Sequence, residues 1–313
     1  MTARTAINQR NKIMVSVGSV LGTMLIFLPA VFFPSQISAA AKRGLLLSLG
    51  TVIPSIFPFI VLTDFAARYI RFESVDALRY AFERLFRIGG CGLSVFLSGI
   101  LGGFPLGAHR AIELYKSGKI SKSECERLMG FASNASPGYV ISAVGTGMIK
   151  STRAGILLYI IAIASAMLSG MIFGIKNDFL KENEVICEQS YSFVSSVKGA
   201  SAICITVTAF ITIFSVIGEC ISVLISANTA RLLILPFLEI GCAVSFISEC
   251  RSLESVARMS LIAFSISFSG LSVYAQTASL TEGTDLSMHT YLKIKLLGAC
   301  IAATLAFFVF SAC

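Results

Sequence analysis

Apolar residues without charge run through positions 13–41, 44–63, 88–108, 128–149, 154–175, 199–218, 259–281 and 296–313, and a shorter run at 232–248 is interrupted once, by Glu239. A helix rises about 1.5 Å per residue, so about 20 apolar residues cross the ~30 Å hydrocarbon core of a bilayer. A helix also satisfies its own backbone hydrogen bonds, which lipid cannot do. The pattern predicts an all-α polytopic membrane protein. The first run, preceded by Arg4, Arg10 and Lys12, ends near Ser38-Ala39-Ala40-Ala41, which resembles a signal cleavage site. Its apolar core is long for a signal peptide, and an uncleaved first helix is expected.

Two runs do not read as plain crossings. The 88–117 region holds Gly99, Gly102, Gly103, Pro105 and Gly107 at its middle, between basic flanks at Arg84 and Arg87 and at Lys116, Lys119 and Lys122. From Ile88 to Leu101 is about 21 Å of helix, enough to pass the middle of the bilayer and turn back. Ends on one side and a helix-breaking centre predict a re-entrant hairpin. The 222–250 region, with Pro236, Glu239 and Gly241, predicts a second. About seven full crossings then remain, at 13–33, 45–64, 128–149, 154–175, 199–220, 259–281 and 296–313. With the N-terminus in the cytoplasm, most Lys and Arg fall in cytoplasmic loops, as the positive-inside rule asks. Residues 72–87 line Phe72, Val75, Leu78, Phe82, Leu85 and Phe86 along one face, an expected interfacial amphipathic helix.

The breaks repeat. Ser133-Asn134-Ala135-Ser136-Pro137-Gly138 interrupts one crossing and Ser267-Phe268-Ser269-Gly270-Leu271-Ser272 another, and the intervals Gly103 to Asn134 and Glu239 to Gly270 are both 31 residues. Ser121-Lys122-Ser123-Glu124 is a capping box, and the climb from Lys122 to Ser133 is about 18 Å, which puts the first break near mid-membrane. Backbone groups freed there cost several kcal/mol each if left to lipid, so they line a cavity or meet other protein. A half-helix beginning near Gly138 turns its positive end toward that cavity, a natural site for a carboxylate or other anion. Between the two hairpins lie three crossings, an odd number, so the halves are expected to be inverted. The predicted organisation is an N-terminal transmembrane helix at 1–40, a first repeat at 41–175 (hairpin 88–117, broken helix 122–149), a polar linker at 176–198, and a second repeat at 199–313 (hairpin 222–250, broken helix 255–281). Inverted repeats with discontinuous helices point to a secondary transporter. An ordinary bundle using Gly and Pro for close packing is the alternative.

Composition agrees. Hydrophobic residues make up 55% of the 313 and charged residues 13%, with a mean hydropathy of +0.83. Soluble proteins carry about 25% charged residues, so a cytosolic enzyme, a disordered chain and a secreted disulfide scaffold are excluded. The formal charge of +8 sits in short loops and reads as a membrane orientation signal, with no nucleic-acid partner expected. The nine Cys lie in apolar stretches without metal spacing and read as packing residues, and only two His are present. No metal site and no resident cofactor are expected, beyond a coupling Na+ or H+. No hydrolytic signature is found, so the chain is not read as an enzyme.

The motifs also carry a resemblance. Pro54-Ser55-Ile56-Phe57-Pro58-Phe59, Ser98-Gly99 to Gly103-Phe104-Pro105-Leu106-Gly107-Ala108, Asn134-Ala135-Ser136-Pro137-Gly138, Phe237-Leu238-Glu239-Ile240-Gly241 and Phe268-Ser269-Gly270-Leu271-Ser272-Val273-Tyr274-Ala275-Gln276 resemble the sporulation integral membrane protein family of the YlbJ type, in order over roughly 45–310. That family carries a nucleoside-recognition Gate domain and is similar to the concentrative nucleoside transporters. The resemblance implies an inverted-repeat, elevator-like transporter in a bacterial cell or forespore membrane. It implies a part in endospore formation, moving dipicolinate toward the forespore, and a homo-oligomer.

The expected solute site draws on Gly103 at the first tip and on Asn134, Ser136 and Gly138 at the first break. Glu239 at the second tip and Ser269, Gly270, Ser272 and Gln276 at the second break complete it. Glu239 costs about 2.5–3.5 kcal/mol to insert, so it needs a partner or a proton, and it is the expected coupling group. Arg110, next to His109, is the expected counter-charge for an anionic solute, against the ordinary tendency of such an arginine to reach for the interface. A non-transporting assembly or sensor protein stays the rival, and it requires the polar residues of the breaks to tolerate apolar replacement.

Overall fold

The computed structural model describes residues 28–66, 76–174, 192–225 and 228–312. Among these residues every regular element is helical. In chain order they are α1 (Pro34–Leu47), α2 (Ile53–Ala66), α3 (Asp76–Phe86), α4 (Cys91–Gly102), α5 (Leu106–Lys116), α6 (Lys122–Ala132) and α7 (Gly138–Ile149), the last wound as π-helix. Then follow α8 (Thr152–Gly174), α9 (Phe193–Leu224), α10 (Asn228–Leu238), α11 (Ile240–Glu249), α12 (Ser255–Phe268), α13 (Gly270–Leu280) and α14 (Met288–Ser311).

Five spans are long and apolar enough to cross a membrane: Pro34–Thr63, Thr152–Gly174, Phe193–Leu224, Ser255–Leu280 and Met288–Ser311. Counting Asp76–Phe86 with Cys91–Gly102, which meet at an 88° bend, would make six. This is fewer than the seven expected, for two reasons. Of the run at 13–33, only residues 28–33 are described. The run at 128–149 is divided between α6 and α7, and neither piece spans a bilayer alone. The second expected span also starts earlier than read: helix begins at Pro34, so Ser38–Ala41 lies within α1, which packs along α9 through Ile37, Ala40 and Gly44. Between α1 and α2, Ser48–Val52 is wound as π-helix. Pro54 explains it, because it has no N–H to return to the carbonyl of Gly50, and the turn widens where that bond is lost.

The amphipathic segment is helical over Asp76–Phe86; Phe72 and Val75 lie outside the described residues, Leu78 and Leu85 of its apolar face are exposed, and its aromatic residues meet protein. Phe82 and Phe86 are buried, and Phe86 stacks on Phe131 at 4.8 Å with Phe96 alongside at 5.8 Å. Arg127, 2% exposed, donates to the carbonyls of Phe86 and Arg87 at 2.8 and 2.7 Å. It thereby satisfies the last carbonyls of α3, which would otherwise be unpaired at a buried helix end. Cys91 departs from the packing role expected of the cysteines, since it is disulfide-bonded.

The arrangement that positions the site occurs twice. In the first unit, α4 and α5 lie against each other and their connecting turn meets the gap between α6 and α7. Gly99 and Gly107 face the carbonyl of Ala132, the last residue of α6, with no room for a side chain on either. A Cβ on Gly103 would lie 2.9 Å from Ser136. In the second unit, α10 and α11 meet at Glu239, and this turn abuts the junction of α12 and α13. A Cβ on Gly270 would lie 2.8 Å from the carbonyl oxygen of Leu238. The equal intervals in sequence are thus contacts in space, each tip resting on the break that follows it.

The two gaps differ in extent. Residues 133–136 are non-helical, whereas the second interruption, expected over Ser267–Ser272, is confined to Ser269 at φ 74°. Helix α14 lies against α6, α8 and α12 and so touches both units. Its start is fixed by Glu126, whose carboxylate accepts from the Ser287 amide at 2.8 Å. Asp285 accepts from Tyr115 at 2.6 Å and from Lys122 at 3.1 Å, and these donors hold its carboxyl below the usual carboxylate range.

Candidate functional site

The tips and breaks enclose a cavity. Ser136 from the first break, Glu239 from the second tip, and Ser272 and Gln276 from α13 all line it, with Phe104 of the first tip and Tyr139 of α7. Apolar walls come from α2 and α9, through Ile56, Val207 and Ile211. Its volume is about 30 Å³, room for one or two waters. A larger solute therefore enters only if a tip moves.

Each polar group has a structural reason for being there. Ser136 Oγ accepts from the Tyr139 amide at 3.2 Å, capping the start of α7 just after the break. Glu239 is 2% exposed, and its Oε2 accepts from the amide of Cys242 at 2.7 Å as the N-cap of α11. Gln276 Nε2 donates to Ser272 Oγ at 3.4 Å, one turn earlier on the same face. Two groups are left over. Gln276 Oε1 and the Tyr139 hydroxyl are buried with no hydrogen-bond partner among the described residues. An unsatisfied buried polar atom costs about 1–3 kcal/mol, so a donor facing Gln276 and a partner for the phenol would be bound favourably. The cavity thus presents an acid, a phenol, two hydroxyls and an amide oxygen, and no basic side chain lines it.

Of the remaining expected residues, Gly103, Gly138, Ser269 and Gly270 form the tip and break junctions around the cavity rather than its lining. Gly138 sits where a Cβ would come within 3.1 Å of Ser55. Asn134 is turned away: its Nδ2 donates to the carbonyl of Phe131 at 2.8 Å, and it lines a separate small void. Arg110 is not in the cavity either. It is buried on α5 with Nη1 3.4 Å from Glu113 Oε2, because its position one turn past the tip faces α5's own carboxylate.

Two features were not read from the sequence. Tyr139 follows Gly138 directly, and a phenol just past a break is a recognisable polar handle. Lys295 is 4% exposed within α14, and its Nζ donates to the carbonyl of Ser133 and lies 3.5 Å from the carbonyl of Ser267 and 3.4 Å from Ser269 Oγ. In sequence it stands one residue before the apolar run at 296–313. Its signal is the face it shares with Tyr291, Ile294, Gly298 and Ala302, all buried.

A second, wider cavity of about 350 Å³ lies beyond the first turn of α11. Gly241 and Cys242 line it, together with Arg43, Glu219, Arg231 and Glu249. Arg43 pairs with Glu219 at 2.6 Å. Arg231 donates to the carbonyls of Ser222 and Ile225 at 2.6 and 3.2 Å. Basic groups missing from the inner cavity therefore stand in this second one, beside as many carboxylates.

Tyr139→Phe tests whether the unpartnered phenol is kept for a ligand. Removing a buried hydroxyl that bonds nothing should leave thermal stability unchanged or raise it, by about 1 kcal/mol. Binding of the solute should weaken by about tenfold. Melting curves and ligand titrations on the purified variant check both halves, and a clear loss of stability would assign the hydroxyl to the fold instead.

No protein-family model matches this chain, and no solved structure matches it. Among curated proteins it is similar to the "Sporulation integral membrane protein YlbJ" of Bacillus subtilis (strain 168), 26% identical over 328 residues, which takes in 90% of this chain and 80% of that protein. The similarity covers both tips and both breaks. Over nearly its whole length, this integral membrane chain resembles the sporulation integral membrane proteins of the YlbJ type.

Proposed function

We propose that the protein is a secondary transporter that moves a small anionic or nucleoside-like solute across a bacterial cell or forespore membrane by alternating access at the cavity between the tips and breaks. The observation that carries this reading is the convergence of Ser136, Glu239, Ser272 and Gln276, from two separately broken regions, on one buried space. Gln276 Oε1 and the Tyr139 hydroxyl, unpartnered among the described residues, belong to two of the residues that line that space. In this reading the two units are inverted repeats, the α4–α5 and α10–α11 pairs are re-entrant hairpins, and the N-terminus is cytoplasmic.

The chemistry of the lining narrows the solute. A carboxylate entering beside ionised Glu239 would be repelled, so an acid travels with a proton, either its own or one held on Glu239. Glu239 is then the coupling group, and the solute binds as a hydrogen-bonding ring seated against Phe104 and Tyr139. Dipicolinate, the solute implied by resemblance to a sporulation family, is a planar ring with two carboxyls, which the inner cavity would take only after a tip has moved. Uridine is the matched neutral probe.

Purified protein in liposomes tests the reading. Uptake of labelled dipicolinate or uridine above protein-free liposomes, faster at an acidic pH outside, is expected. Liposomes that hold folded protein yet take up neither these solutes nor related pyridine acids and nucleosides would turn the reading toward an assembly or sensor role.

A further inference from the structure

Lys295 lies where the two breaks meet, and its surroundings are made of oxygen. The carbonyl of Ser133 closes α6, the carbonyl of Ser267 belongs to the last turn of α12, and Ser269 Oγ stands at the junction that follows. The C-terminal ends of helices present partial negative charge, so two such ends converge on one ammonium. None of these three partners is a carboxylate. Asn134, Ser165 and Ser169 line a void of about 10 Å³ beside Lys295, and Ser165 Oγ is 3.4 Å from Ser267 Oγ. Ser165 and Ser169 are themselves buried, at 0% and 1% exposure.

Carbonyls of unwound segments and half-helix C-terminal ends are the groups with which discontinuous-helix transporters hold Na+. Here an ammonium tethered to α14 reaches the same kind of oxygen cluster. We propose that the Lys295 ammonium fills a monovalent-cation site built from the two breaks, so that the protein supplies its own cation there and requires no Na+. The ion whose binding would order the two breaks is replaced by a side chain that never leaves. The occupancy of the site does not depend on the transport reading; only the corollary, coupling by protons rather than Na+, does.

The test compares melting temperatures of the purified full chain in NaCl and in choline chloride at equal ionic strength. Wild type and Lys293→Ala, which removes an exposed neighbouring lysine, should melt alike in both salts. Lys295→Ala vacates the oxygen cluster and should melt lower in choline, recovering by about 3 °C or more in NaCl as the ion enters. Lys295→Met fills the space without a charge and should be destabilised equally in both. Stabilisation of wild type by Na+, or indifference of Lys295→Ala to the salt, would overturn the proposal. Should neither Lys295 variant fold, wild type decides alone: a Na+-dependent rise overturns the site's occupancy by lysine, and equal melting upholds it. Wild-type uptake is measured in the same salts. Absent uptake in both counts against transport while the melting result stands.

Discussion

Gly270→Ala will destabilise the protein by about 2–5 kcal/mol, lowering its melting temperature by on the order of 10 °C. Two costs add. Gly270 has φ +77°, a left-handed conformation that costs an L-residue about 1–2 kcal/mol. The added Cβ would also lie 2.8 Å from the Leu238 carbonyl oxygen and 3.2 Å from the Glu239 amide nitrogen. Both neighbours are backbone, so relief means moving the second tip off its break. Gly283→Ala separates the costs: it has φ +75° with nothing within 4 Å of its Cβ. It should lose only the conformational part, about 1 kcal/mol. Equal losses in the two variants would mean that the tip does not rest on the break.

Much of this arrangement is legible in the chain because helix breakers in apolar runs are conspicuous. Gly99, Gly103 and Gly107 announce a close approach, and the structure supplies its partner, the end of α6. Glu239 stands out as a lone charge in a run that otherwise has none. What escaped reading depends on side-chain direction. Asn134 bonds its own helix end, and Arg110 turns to Glu113, choices that local geometry makes and residue type does not. Lys295 lies just outside the apolar run at 296–313, whereas α14 already starts at Met288 and carries it on a buried face. The doubled break was visible as equal spacing, but the extra cation joining its two halves sits on a helix outside both motifs.

Glu239→Gln will leave the fold nearly intact and, on the proposed transport function, stop proton-coupled uptake. Its amide oxygen can still accept from the Cys242 amide, now 2.7 Å from Glu239 Oε2, so the start of α11 stays capped. The melting temperature should therefore hold within about 3 °C. The variant cannot carry a proton, and acid-driven uptake of dipicolinate should fall by about tenfold or more, with the remainder independent of pH. Glu239→Ala loses the cap as well and should be less stable than Glu239→Gln by about 1 kcal/mol. Undiminished, pH-dependent uptake in Glu239→Gln would remove this residue from coupling.

The central claim is that one solute site is built from both broken regions. Determining the structure of the purified protein with saturating dipicolinate, and separately with uridine, addresses it most directly. Ligand density is expected against Phe104, Tyr139, Glu239 and Gln276, with the cavity enlarged by displacement of a tip. Density for a transported solute lying elsewhere, with this cavity closed and dry, would contradict it.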